Sequence, residues 1–319
     1  MPAYNAGAFI ADAIESLITQ SQGNWQLVIV DDGSSDDTFE VASRYERLDN
    51  RIQVLRQENQ GPSAARGRGV ASASGEWITF LDADDCLEPN AVETFTNCVE
   101  KGNNLIYIYS HHDGWKYYSQ TIGLEEYRRA SLLQEYNTGP WCKLFHRSLF
   151  TPNVFDIPSN IRSGEDWIMN IRIAFNLTGT VAFRREIVYV CRNYINPKSL
   201  MKTQKGSWEY TNAYFKEFID SIPLECQSEY AYEIALNLSQ AYHSQWRKTW
   251  ILPKESKNCY IPERLRYYEE CQNIRLPVFN HIEYNVTNPL FRMILDYLER
   301  MVGLVRRHLI TPKHRYFTS

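Results

Sequence analysis

The sequence predicts an α/β protein: a doubly wound, mostly parallel sheet flanked by helices, followed by a helical C-terminal region. Three observations carry this. Over residues 1–110, short apolar runs alternate with segments of helical spacing, the pattern of strands joined by helical crossovers. The run Leu27-Val28-Ile29-Val30 is uninterrupted, as expected of a strand covered on both faces. Beyond about residue 200 the strand pattern gives way to long helical segments.

The elements follow in order. Phe9, Ile10, Ala13, Ile14, Leu17 and Ile18 recur at helical spacing. After the Leu27–Val30 strand, Ser34-x-x-Asp37 resembles a capping box and opens a helix through Tyr45. Ile52–Leu55 is a short strand, and Ser63 is placed to cap a helix of small residues through Ala73. Trp77–Leu81 and Leu105–Tyr109 are strands, with a helix over Ala91–Val99 between them. The segments Trp208–Ile222, Tyr230–Trp250 and Asn288–Leu309 have helical patterns, with a polar stretch carrying Pro253, Pro262 and Pro277 before the last. This organisation divides the chain into an α/β domain over 1–200 and a mostly helical region over 201–319.

Composition narrows the function classes. A chain of 319 residues, 44% hydrophobic and 23% charged, can bury a sizeable core. The formal net charge of −4 excludes the basic balance of a nucleic-acid binder. Seven cysteines, an odd number with no CxxC spacing, argue against a zinc site or a disulfide framework and for a reducing cytoplasm. No secretory leader and no bilayer-spanning apolar run is seen. His111-His112-Asp113 reads as a polar loop in preference to a metal site.

Ligands of doubly wound sheets sit at the carboxyl ends of the strands. Here those ends are acidic: Asp31-Asp32-Gly33-Ser34 after one strand and Asp82-Ala83-Asp84-Asp85 after another. Carboxylates one residue apart can share a cation, and oxygen-only ligands suit Mg2+ or Mn2+, which also bind diphosphates. An isolated acidic turn would equally read as a solvated cap. This one is not isolated. Pro2-Ala3-Tyr4-Asn5, Asp31 to Asp36 and Asn59-Gln60-Gly61-Pro62-Ser63-Ala64-Ala65-Arg66 precede it, and Gly164-Glu165-Asp166-Trp167 follows about eighty residues later.

This ordered set resembles the family 2 glycosyltransferases, which have the GT-A fold, over roughly residues 1–190. The resemblance implies a metal-dependent, inverting transfer of a sugar from a nucleotide diphosphate-sugar, a UDP-sugar foremost, to a saccharide or lipid-linked acceptor in polysaccharide or glycolipid synthesis. It places Pro2 and Tyr4 beside the base, and Asp32, or less readily Asp31, as acceptor of a hydrogen bond from the base. Arg66 approaches the base or the diphosphate. Asp82 and Asp84 face the ribose and the metal, and Asp85 shares or takes over ligation because three acids leave the register open. Asp166 is the implied general base, with Glu165 its supporting neighbour.

A base distant in sequence from the metal cluster suits the far face of the donor sugar. The competing reading makes Glu165 and Asp166 acidic caps of the helix through Ile171 and Ile173. Trp141 is a candidate floor for the acceptor and Lys143 a candidate phosphate contact, against an ordinary strand with a snorkelling lysine. An aromatic content of 13%, with 21 Tyr and 8 Trp, suits stacking on sugar faces and equally an aromatic-rich core.

Two departures from the family stand out. Met1 directly precedes Pro2, so the first central strand is expected to be missing, through truncation or degradation. A catalytically impaired relative acting as a binding or scaffolding module is therefore the alternative. Gly67 stands where the family often has Asn. At the other end, Leu290, Phe291, Ile294, Tyr297, Leu298, Met301, Leu304 and Val305 form a stripe ahead of Arg306, Arg307, Lys313 and Arg315. Residues 288–315 thus read either as a peripheral contact with the inner membrane face or as a helix packed on the catalytic domain.

Overall fold

The computed structural model describes residues 1–99, 103–110, 119–192 and 207–249, together with residues 261, 264, 265, 267, 268 and 272. The chain divides into two compact units, Met1–Lys205 with Asp220–Pro223, and Gly206–Ile219 with Leu224–Ser319. The expected Asn288–Leu309 helix and the His111–Asp113 loop lie outside the described residues.

In the first unit the order is β1 (Pro2–Ala3), α1 (Ile10–Ile18), β2 (Leu27–Asp31), α2 (Thr38–Leu48), β3 (Ile52–Arg56), α3 (Pro62–Ser72), β4 (Trp77–Ile78), β5 (Cys86–Leu87) and α4 (Ala91–Cys98). There follow β6 (Asn103–Ser110), β7 (Gln120–Ile122), α5 (Leu124–Leu132), β8 (Lys143–His146), α6 (Glu165–Asn176) and β9 (Thr180–Val190). Strands β1, β2 and β3 form a parallel sheet in that order. Every residue of β2 is buried, which explains its unbroken apolar run. A second sheet, ordered β4-β8-β6-β9-β5 with β7 on β9, is mixed. Only its β6–β9 pair is parallel.

The first strand, expected to be missing, is present as a two-residue stub. Its backbone continues the ladder: Val30 N–H donates to Met1 O at 2.9 Å and Asp32 N–H to Ala3 O at 2.8 Å. Thus β2 keeps its hydrogen bonds on both edges, and the core below it closes with Ile10, Ile14, Leu17, Ile29, Leu81 and Ile106 in one cluster. Phe80, Tyr127, Phe145, Met169 and Ile173 fill a second.

Three local expectations are corrected. Ser34 does not cap a helix; its hydroxyl accepts Asn5 N–H at 2.9 Å, and α2 begins at Thr38. Ser63 lies inside α3, because Pro62 at the first helical position, with its fixed φ and no N–H, starts the helix two residues earlier behind Gly61. The ladder of β4 stops at Ile78, although Phe80 and Leu81 beyond it are buried.

The second unit contributes α7 (Trp208–Asp220) and α8 (Ala231–Thr249). Its buried residues include Phe218, Tyr230, Ile234 and Leu238, together with Ile261, Leu265 and Tyr268. Among the described residues, no helix is long and apolar enough to cross a membrane.

Candidate active site

The carboxyl ends of β1, β2 and β3 build the first wall. Asn5 turns the chain with a positive φ of 51°, and its amide oxygen accepts Ser35 N–H at 2.9 Å. This ties the loop after β1 to the loop after β2 and leaves the Tyr4 ring 55% exposed beside them. Asp32 is buried yet accepts three hydrogen bonds: Gln57 Nε2 at 2.8 Å, Gln60 N at 2.9 Å and Gly61 N at 2.8 Å. It therefore shapes the loop after β3. Asp31 points the other way, fully buried and paired with Arg56 at 3.1 Å. Gly33 is required here: at φ 76° a Cβ would stand 2.9 Å from the Asn59 backbone nitrogen.

The acidic turn alternates. Asp82 and Asp84 are partly exposed, whereas Ala83 and Asp85 are buried. The turn is closed by Asp85 N–H donating to Asp82 O at 3.1 Å, and Asp82 and Asp84 are the acids in it that keep exposed surface. Asp85, the other expected metal ligand, accepts two internal hydrogen bonds, Oδ2 from Tyr189 Oη–H at 2.9 Å and Oδ1 from Arg192 N–H at 2.5 Å. Tyr189 also receives Asp82 N–H at 3.1 Å, so one phenol fixes the whole turn. Burial pushes the Asp82 carboxyl up to about 7, against the pull of Arg66 and with Asp166, Asp85 and Asp84 adding to the rise. Among the described residues there is no group of three or more potential metal-ligating side chains. Two open carboxylates nevertheless fit Mg2+ or Mn2+, which is commonly held by one or two carboxylates and completed by phosphate and water.

The second wall is α6, which starts behind Gly164 at φ 80° and carries Glu165 and Asp166 in its first turn. Both face Arg66 of α3. Arg66 Nη1 lies 2.5 Å from Asp166 Oδ1 and 3.3 Å from Glu165 Oε1, and Nη2 lies 4.0 Å from Asp82 Oδ1. Arg66 is only 6% exposed. Its guanidinium, expected to approach the base or the diphosphate, faces the protein's own carboxylates. Glu165 is held well above the ordinary carboxylate range, first by burial and then by neighbouring Asp166, with Arg66 opposing. Gly67 also has a structural reason, since a Cβ there would come within 2.9 Å of Phe155 Cβ.

The family model described as glycosyl transferase family 2 matches residues 1–160. The chain belongs to glycosyl transferase family 2. EpsH of Bacillus subtilis (strain 168) is 31% identical over 199 residues, covering 59% of this chain and 56% of that protein. Glycosyltransferase GlyA of Streptococcus pneumoniae serotype 4 is 30% identical over 227 residues, 65% of this chain and 32% of its own. The chain thus spans about half or less of these two relatives. The crystal structure of Staphylococcus aureus TarS 1-349 in complex with UDP-GlcNAc superposes with a TM-score of 0.58 at 17% identity, covering 86% of this chain and 91% of that one. The fold is accordingly GT-A.

Within this family 2 frame, the segment before β8 closes the picture. Trp141 is partly exposed and stacks on Tyr189, centroids 5.4 Å apart and planes 20° apart. Lys143, expected at a phosphate, has no exposed surface, donates to Gly139 O and lies 4.7 Å from the Tyr107 ring centre. Sequence reasoning missed Tyr189, Asn170 and Arg192. Asn170 sits one turn after Asp166, and a polar residue amid Trp167, Ile168, Met169, Ile171 and Ile173 was a legible signal. Tyr189 and Arg192 carry no local mark; only the pairing of β5 with β9 brings them to Asp85.

Proposed function

We propose that this chain transfers a sugar, with inversion, from a nucleotide diphosphate-sugar to a hydroxyl of a saccharide or lipid-linked acceptor in polysaccharide or glycolipid synthesis. What supports the reading above all is one guanidinium: Arg66 joins Asp82 of the acidic turn to Asp166 of α6, which gathers the donor-side and base-side carboxylates into one site. Asp32 and Tyr4 are assigned to the base. The Asp32 carboxylate can accept an N–H, which uracil presents at N3, so a UDP-sugar is the preferred donor. Asp82 is assigned to the ribose side and Asp84 to a divalent ion, which when bound supplies charge compensation for the diphosphate.

In this reading Asp166, 29% exposed, receives the acceptor proton. The acceptor oxygen forms its bond to the anomeric carbon on the face opposite the diphosphate. The bond from that carbon to the phosphate oxygen breaks, and its electron pair leaves with the nucleoside diphosphate. Glu165, whose carboxyl is raised by burial and by Asp166, lies beside that base and shares Arg66 with it. Trp141 is assigned to the acceptor side. A peripheral membrane contact through 288–315 accompanies the lipid-linked form of the acceptor.

The experiment is a screen of nucleotide-sugars with Mn2+ or Mg2+ for hydrolysis and for transfer to alkyl glycosides, with the product's anomeric configuration read by NMR. Turnover of a UDP-sugar with an inverted product is expected. Retention of configuration, or neither binding nor turnover of any nucleotide-sugar, overturns the reading.

A further inference from the structure

The segment Asn137–Cys142 leaves regular structure with a left-handed residue at Cys142, φ 59°. Such a loop would ordinarily be mobile, yet two successive carbonyls are pinned from below. Asn170 Nδ2 donates to Thr138 O at 2.7 Å and, with its other hydrogen, to Asp166 O at 2.7 Å. Lys143 Nζ donates to the next carbonyl, Gly139 O. Asn170 and Lys143 are both buried. Burying an ammonium is costly unless it is well partnered, so a lysine kept there for packing alone is a poor choice.

Gly139 supplies the third constraint. A Cβ at this position would stand 2.6 Å from Trp141 Nε1 and 2.8 Å from Cε2. The bare Cα thus lies against the edge of the indole, while one face of the same ring rests on Tyr189. Tyr189 in turn holds Asp82 N–H and Asp85. One end of the loop is therefore tied to the helix turn bearing Asp166, and the other to the acidic turn. Between them, Asn137 Nδ2 and Asn170 Oδ1 are buried without a hydrogen-bond partner among the described residues.

We propose that Gly139, Lys143 and Asn170 are positioning residues that fix the Trp141 ring as the stacking platform for an acceptor saccharide. This rests on the glycosyltransferase reading above and names the part of the site that sets acceptor geometry. The acidic turn and α6 hold the donor side and the base; the pinned loop sets the height and tilt of the ring between them. Lys143 acts through the Gly139 carbonyl, Asn170 through the Thr138 carbonyl, and Gly139 by leaving room for the indole edge.

The test uses the full chain labelled with 5-fluorotryptophan, which gives one fluorine signal for each of the eight Trp residues. Trp141→Phe identifies the Trp141 signal. Lys143→Met, Gly139→Ala and Asn170→Ala should each shift or broaden that signal while the other Trp signals stay in place, and octyl glycosides should shift it in the unmodified sequence. With the UDP-sugar that is turned over, each of the three substitutions should raise the KM for the octyl glycoside about tenfold, the scale of one lost aromatic contact. In a Trp141→Ala background the same substitutions should add nothing further. An unmoved Trp141 signal in all three variants, general loss of the fluorine spectrum, no response to any octyl glycoside, or additive effects in the Trp141→Ala background would each overturn the proposal. Failure of the underlying glycosyltransferase reading looks different: no nucleotide-sugar is turned over or bound, while the fluorine signals still report whether the loop is pinned.

Discussion

Replacing Asp84 and Asp85 separately by Ala should give opposite outcomes, although the two residues are adjacent and chemically identical. Asp85 is fully buried and accepts Tyr189 Oη–H and Arg192 N–H. Asp85→Ala leaves both donors without their acceptor. Each buried donor left unsatisfied costs about 1–3 kcal/mol, so the pair amounts to about 2–6 kcal/mol. For a unit of this size 1 kcal/mol lowers Tm by roughly 2–4 °C, which places the drop on the order of 10 °C. Asp84 is partly exposed, and its removal should change stability by no more than about 0.5 kcal/mol. Its loss should instead abolish Mn2+-dependent binding of UDP. The assay is a melting curve for each variant beside calorimetric titration of UDP with and without Mn2+. Asp85→Asn, which keeps one acceptor oxygen, should melt between the two. An unchanged Tm in Asp85→Ala, together with metal-dependent binding that survives Asp84→Ala, would refute the assignment of Asp84 to the open side and Asp85 to the core.

Three further outcomes follow from the same geometry. Asp166→Asn should lower kcat by at least about 10²-fold, the usual scale for a general base, while UDP affinity measured by calorimetry changes little. Asp82 and Glu165 are carboxyls raised by burial, Asp82 to about 7, so the folded state holds protons that the unfolded chain releases near pH 4. Their contribution is fully present below that value and lost as pH rises through about 7, and the Tm of the ligand-free protein should fall across this window. Arg66→Met removes the cation shared by Asp82, Glu165 and Asp166 and should cost about 3 kcal/mol at neutral pH, with partial recovery near pH 5 as the carboxylates take up protons, read by melting curves at the two pH values.

Much of the fold was legible because local signals and burial agree. Leu27–Val30 is apolar because β2 is covered on both faces, and Ile10, Ala13, Ile14 and Leu17 lie inward on α1 because their spacing is helical. The strands of the mixed sheet were harder. β5 and β7 have only two and three residues, too few to show a period, and β9 gains its place through pairing with β5, β6 and β7. At the site, the residue types were readable but the directions of their side chains were not. The turn Asp82-Ala83-Asp84-Asp85 offers three acids, and only the alternation of burial separates them. Arg66 and Lys143 illustrate the same limit. A cation near a presumed phosphate looks like a ligand in sequence, whereas here one is bound by three carboxylates and the other by a carbonyl beneath a loop.

The fate of Arg66 bears on why the proposed reaction needs a divalent ion at all. Asp82, Glu165 and Asp166 face a single buried arginine, and Asp84 adds its negative charge beside Asp82, so the site is acidic. A nucleotide diphosphate-sugar adds the negative charge of its diphosphate, and burial strengthens the repulsion because screening by water is weak there. Arg66 offers no relief, since its guanidinium already faces Asp166, Glu165 and Asp82. Arg192 is turned to Asp12 at 2.6 Å. These two cations are directed at the protein's own carboxylates, while Asp82 and Asp84 keep exposed surface. On the proposed reading, a divalent cation bound with the diphosphate would offset the incoming charge and be attracted to both aspartates. We expect donor binding to require Mn2+ or Mg2+, with NaCl at matched ionic strength no substitute because simple salt screens over distance but does not bridge a carboxylate to a phosphate; calorimetric binding of UDP that persists in EDTA would refute this.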